Sequence, residues 1–143
     1  MSYRNYPVDD DLLLKASAAV TSSAAGSLIL DVGDGRIDPA TVVVDVSAMD
    51  IVSNDEQYDI VLQGSPDAAF GTAGNIVELG SITLGCKEAK RTDGDADDTT
   101  GRFIFHVRNE RNGTVYRYLR IYTVVAGTTP TITYKAWLSK VRG

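Results

Sequence analysis

The amino-acid sequence predicts an all-β domain, an antiparallel sandwich or barrel of seven or eight strands. Segments rich in β-branched and aromatic residues recur along the whole 143-residue chain. Gly, Pro, Asp, Asn or Ser punctuates nearly every junction between them, and no run carries a convincing helical period. At this length one domain buries about two-thirds of its unfolded surface, so residues 12–143 read as a single domain behind an N-terminal arm, residues 1–11.

In chain order, "DLLLKASAAVTSSAAG" (11–26) is the ambiguous stretch. Its Ala and Leu favour a helix, while Val20, Thr21 and the Ser pair favour an extended segment with a turn, and it is read as mostly strand. Strands follow at "GSLILDVG" (26–33), "ATVVVDVSAMD" (40–50), "QYDIVLQG" (57–64) and "NIVELGSITLG" (75–85). Three more follow at "GRFIFHVRN" (101–109), "VYRYLRIYTVV" (115–125) and "TITYKAWLSKV" (131–141). Asn112-Gly113 is a strong hairpin signal. A two-residue loop would pair Phe105 with Arg120. A three-residue loop, Arg111-Asn112-Gly113 with Gly113 left-handed, pairs Phe105 with Leu119 and Phe103 with Ile121. One residue of slip exchanges the faces, so the sequence favours the three-residue loop, with Phe103, Phe105, Val107, Leu119 and Ile121 in the core.

Tyr118, Arg120 and Tyr122 then point outward. In the last strand Ile132, Tyr134, Ala136 and Leu138 alternate inward, which leaves Thr133, Lys135 and Trp137 on the other side. The expectation is one outer face of Tyr118, Tyr122 and Trp137 interleaved with Arg120 and Lys135. Tyr, Trp and Arg are the residues enriched at interface hot spots. Those five side chains, with Tyr3, Tyr6 and Pro7 of the arm, are the candidate subunit or partner interface.

Charge is split along the chain. Residues 1–101 hold 18 acids and 6 bases, while residues 102–143 hold one acid, Glu110, and 8 bases. The split fits basic strands lying beside acidic ones in one sheet better than a nucleic-acid surface, because the acidic remainder would repel a polyanion.

Chemistry-bearing constellations are sparse. Cys86 and His106 are the only residues of their types, so a disulfide within the chain and a cysteine-based zinc site are excluded. His106 belongs to the outer face, between Ile104 and Arg108. "TDGDADDT" (92–99) fails as an EF-hand loop: counted from Asp93, the glycine position holds Asp98 and the bidentate-glutamate position holds Ile104. It reads as a solvated acidic loop. "DVGDGRIDP" (31–39) is one residue short of the calcium spacing of dockerin repeats, and Gly33-Asp34-Gly35 reads as a tight connection. Neither catalytic, cofactor-binding nor metal residues are expected. The longest apolar runs fall far short of the roughly 20 residues of a membrane span.

"RYLRIYTVVAGTTPTITYKAWL" (117–138), "NIVELGSITLG" (75–85) and "YDIVLQGSPDAAFGT" (58–72) resemble the small head decoration, or cement, proteins of tailed bacteriophages. The likeness covers residues 12–139 in strand and turn patterns, with no active-site signature. It implies a jelly-roll sandwich that studs the outside of a capsid assembled in the bacterial cytoplasm. The implied partners are the major capsid protein and further copies of the chain, as a homo-dimer or homo-trimer. No enzyme activity, small-molecule substrate, nucleic acid or membrane is implied. The alternative is a carbohydrate-binding module using Tyr118, Tyr122 and Trp137 as a stacking platform.

Overall fold

A computed structural model describes residues 12–37, 39–71, 75–86 and 97–139. The strands are β1 (Leu13–Val20), β2 (Ala24–Ala25), β3 (Leu30–Asp31), β4 (Ala40–Met49), β5 (Gln57–Ser65) and β6 (Val77–Gly85). They continue with β7 (Gly101–Val107), β8 (Glu110–Arg111), β9 (Thr114–Val115), β10 (Tyr118–Ala126) and β11 (Ile132–Ser139). One sheet has the order β1-β11-β4-β7, and the second runs β2-β10-β5-β6 with β3 also on β10. Every pairing is antiparallel. The protein is therefore a β-sandwich, as the sequence predicts.

Alternation along the strands builds the core. Val42, Val44 and Val46 of β4 and Tyr134, Ala136 and Leu138 of β11 face Ile60 and Leu62 of β5 and Leu119 and Ile121 of β10. All ten side chains are buried, and complete burial of each Val, Leu or Ile contributes roughly 1.5–3 kcal/mol. Inside this core the Tyr134 hydroxyl bonds to Thr123 Oγ1, so the one polar tip among these groups is satisfied. Burial pushes the Tyr134 phenol up to about 12, against the opposing effect of the Thr123 hydrogen bond.

Two parts of the sequence reading need correction. The chain does make a hairpin at Asn112-Gly113, but as a two-residue loop joining β8 and β9, with Glu110 opposite Val115 and Arg111 opposite Thr114. Asn112 and Gly113 both have positive φ, 52° and 85°, the combination that a type I′ turn requires. The ribbon stops there because β7 pairs with β4 and β10 pairs with β5, in different sheets. Phe105 and Leu119 are indeed both core residues, yet they belong to opposed sheets rather than to one ladder. Asn109 enforces the parting. Fully buried, it accepts the Ile37 amide at 2.9 Å and donates to the carbonyls of Gly35 (2.9 Å) and Tyr116 (3.0 Å). Asn109→Ala strands those groups and is expected to cost about 3 kcal/mol, read as a lowered urea midpoint with an unchanged slope.

The second correction concerns "GSLILDVG". Only its Leu30–Asp31 pairs with β10, and a separate short strand, Ala24–Ala25 of the preceding stretch, pairs with β10 further along. Gly26 donates to Ile121 O at 2.8 Å and Val32 to Arg117 O at 2.9 Å. The intervening residues leave the ladder, and Ile29 is exposed.

β1 carries two register shifts against β11, on either side of Lys15. The extra residues turn Lys15 inward. Its Nζ donates to the carbonyls of Ala16 (3.1 Å), Ala18 (3.0 Å) and Tyr134 (3.1 Å) and lies 4.3 Å from the Tyr134 ring centroid. Burial holds the Lys15 ammonium below its ordinary pKa. The unfolded chain therefore keeps this proton to higher pH than the folded one, and Lys15's contribution to stability rises as pH climbs through the folded value toward 10.5.

Candidate interaction faces

β10 and β11 lie in different sheets, so the five side chains expected on one face are divided between two. Tyr118, Arg120 and Tyr122 line the outer face of the β10 sheet, while Lys135 and Trp137 lie on the outer face of the β11 sheet, on the opposite side of the sandwich. The sequence reading treated consecutive strands as neighbours. Here the turn after β10 crosses from one layer to the other. Tyr3, Tyr6 and Pro7 lie outside the described residues.

On the β10 sheet, Tyr118, Arg120 and Tyr122 are each half-buried and face Ser65, Gln63 and Val61 of β5 in register. Arg120 Nε donates to Gln63 Oε1 at 2.7 Å, and its guanidinium carbon lies 4.3 Å from the Phe70 ring centroid. Phe70 is the contributor that sequence reasoning missed. It is 6% exposed and takes φ = 51°, a strained conformation for a bulky aromatic. Asp67 imposes it: its carbonyl accepts the Phe70 amide (3.0 Å), and its carboxylate accepts those of Ala69 (3.0 Å) and Gly71 (3.1 Å). These amide bonds hold the Asp67 carboxyl below the usual range. "SPDAAFG" is thus a turn that plants an aromatic ring beside Arg120. The signal was an aspartate in a position to cap a turn three residues before a lone loop phenylalanine.

The outer face of the β11 sheet is built differently. Leu13, Trp137, Val43 and Ile104 form one register row across all four strands. Val43 and Trp137 are fully buried and pack with Leu13 and Ile104. The next row is Lys135, Asp45 and Arg102. Arg102 grips Asp45 through two bonds, 2.7 and 2.9 Å, and the Arg102 and Lys135 cations sit 5.2 and 5.9 Å from the Trp137 ring centroid. On the far side of the apolar row, Thr41 Oγ1 lies 3.2 Å from His106 Nδ1. His106 is exposed on the outer face, as expected from the alternation.

The charge split is met in part within the sandwich, by Arg102–Asp45 and by Arg117. Arg36 of the acidic part pairs with Glu110, the one acid of the basic part. Arg117 holds Asp31 through two bonds, 2.8 and 3.0 Å, and reaches Asp34 at 3.1 Å. Asp31 and Asp34 of the dockerin-like stretch therefore hold a guanidinium. Among the described residues no group of three or more His, Cys, Asp or Glu side chains is arranged to hold a metal ion. The Asp31 carboxyl is held below its ordinary value by the Arg117 hydrogen bond first, then by the Gly33 amide and the Arg117 charge, against desolvation. As pH falls past about 3.8, unfolded Asp31 takes up its proton before the folded form does. This contribution is complete above that range and disappears below the folded pKa. Arg117→Ala is expected to return the Asp31 pKa toward 3.8 in a carboxyl NMR titration. The melting-temperature gap to wild type closes in acid.

Other reactive groups are occupied. Burial pushes the Cys86 thiol up, with the Asp97 charge adding to it, which keeps it from the thiolate form that reacts. A groove of about 410 Å³ is lined by Pro39, Leu79, His106, Val107, Arg108 and Glu110, where His106 leans on Thr41 and Glu110 on Arg36. No protein-family model matches the chain, and no curated protein matches it.

Proposed function

We propose that this protein is a structural virion component that decorates and stabilises a bacteriophage capsid. It binds the major capsid protein lattice from outside as a homo-oligomer and performs no reaction. The observation that carries the reading is the half-buried strip of Tyr118, Arg120 and Tyr122, stiffened by Phe70, on the outer face of a regular sheet. Aromatic rings and an arginine already ordered on a rigid strand lose little side-chain freedom on docking. The strand pairing adds support. It is nested, β1 with β11, β2 and β3 with β10, β4 with β7, and β5 with β6, which favours the jelly-roll reading. The carbohydrate-binding alternative is weakened by Trp137, whose fully buried ring offers no stacking surface to a sugar.

The test adds purified protein to capsids stripped of it and measures occupancy and resistance to heat. Saturable binding with a raised capsid melting temperature is expected, reduced at least tenfold in affinity by a Tyr118→Ala, Tyr122→Ala double variant. Glycan binding by a monomer with no capsid occupancy would replace this reading with the carbohydrate module.

A further inference from the structure

Each sheet of an open sandwich leaves strand edges whose unpaired amides and carbonyls invite another strand, and natural proteins protect them. Three of the four edges here carry some protection. β1 has two register shifts and an inward lysine, β2 and β3 are two residues each, and β7 presents Arg102 and His106 on its outer face. β6 is different. It spans nine residues, pairs with β5 on one side, and has no strand on its other side among the described residues. It contains no proline or lysine, and Leu79–Leu84 carries no charge. Arg111 Nη1 donates to the Glu78 carbonyl and the Asp98 amide to the Gly85 carbonyl, each at 2.9 Å, capping the two ends of the strand and leaving its middle, around Ser81 and Thr83, open. Leu79 and Ile82 pack against the core yet stay only partly buried, so the rim of the core is left uncovered at this edge.

We infer that β6 pairs edge to edge and antiparallel with β6 of a second copy, joining two five-stranded sheets into one continuous sheet across a two-fold axis. The choice of a second copy rests on charge and symmetry. Glu78 is the only charged residue of β6 and sits near its start. Antiparallel pairing about a two-fold near Ser81 separates the two Glu78 side chains by about 20 Å at 3.4 Å per residue, whereas a parallel strand would set them side by side. An isologous pairing of this kind closes at two copies, and Leu79 and Ile82 of each copy gain cover from the other. The inference rests on the homo-oligomer part of the proposed function and names its interface; it does not depend on capsid binding.

Sedimentation equilibrium over a wide micromolar range tests it on wild type, Ser81→Lys and a control, Ser22→Lys. Ser81 and Ser22 are both exposed, so neither lysine disturbs the core. Wild type and Ser22→Lys are expected as dimers, and Ser81→Lys as a monomer with wild-type circular dichroism and at least tenfold weaker association. Amide exchange of wild-type residues 79–83 is expected to slow as protein concentration rises, a readout independent of any variant's folding. A wild-type monomer overturns both the edge pairing and the homo-oligomer reading. A trimer, or a dimer that survives Ser81→Lys with unchanged exchange at 79–83, overturns the edge pairing alone.

Discussion

Gly127→Ala is expected to destabilise the fold by about 4 kcal/mol, the sum of backbone strain and forced displacement. Gly127 follows β10 at φ = 108°, outside the range that side-chain-bearing residues accept. A Cβ there would lie 2.6 Å from the Asp55 carbonyl oxygen and 2.6 Å from the Glu56 Cα. Both obstacles are backbone, and neither can swing aside. Glu56 is fully buried, its carboxylate accepting the amides of Ser53 (3.1 Å) and Asp55 (3.2 Å) while its carbonyl accepts that of Cys86 (2.9 Å). On the moving side, Thr128 binds the Asp55 carboxylate through its amide (3.0 Å) and hydroxyl (2.7 Å). The Tyr58 hydroxyl donates to Asp50 O (2.6 Å) and accepts the Thr131 amide (3.0 Å). The crossing between layers is thus clamped at several points, and an added methyl group works against all of them. In thermal denaturation the loss corresponds to about 15 °C. A shift under 3 °C would mean that the two loops slide apart freely and that the clamp is weak.

Trp137→Ala is expected to cost a similar amount, about 4 kcal/mol. The indole fills the centre of the Leu13–Val43–Ile104 row with no exposed surface, and its loss leaves a cavity that three strands cannot collapse together. Trp137→Phe separates packing from polarity. The buried indole Nε1 has no hydrogen-bond partner among the described residues, a cost that phenylalanine removes, and the remaining volume loss is expected to bring the net change to only about 1 kcal/mol. Urea midpoints for the two variants check the ratio. Equal losses would show that the indole N–H is satisfied and that the ring edge matters more than its bulk.

The sandwich was legible because its determinants are local. Alternation in "TITYKAWL" places Tyr134, Ala136 and Leu138 correctly without knowledge of any partner strand, and the same holds for Leu119 and Ile121. What escaped the reading was long-range. The ladder between 101–109 and 115–125 looked continuous because "RNG" announces a turn, and nothing local reveals that Asn109 takes partners at Gly35 and Ile37, more than 70 positions earlier. The split of the aromatic face has the same origin, since alternation gives the side of a strand but never its sheet. Trp137 was read as outward, and it is, yet burial depends on what lies over that face. Phe70 went unnoticed because loop aromatics have no period to betray them.

The position of β11 has a bearing on how the chain is made. β11 sits between β1 and β4, opposite Leu13–Val20 on one flank and Thr41–Met49 on the other. It is also made after every other strand described here. Until then the first sheet lacks its inner member, and β1 has no ladder to join. This sheet cannot close before β11 is made, which suits a topology dominated by distant contacts. A chain cut short before Ile132 would leave β1 without a partner and one edge of β4 bare, sticky toward its neighbours and bound for proteolysis.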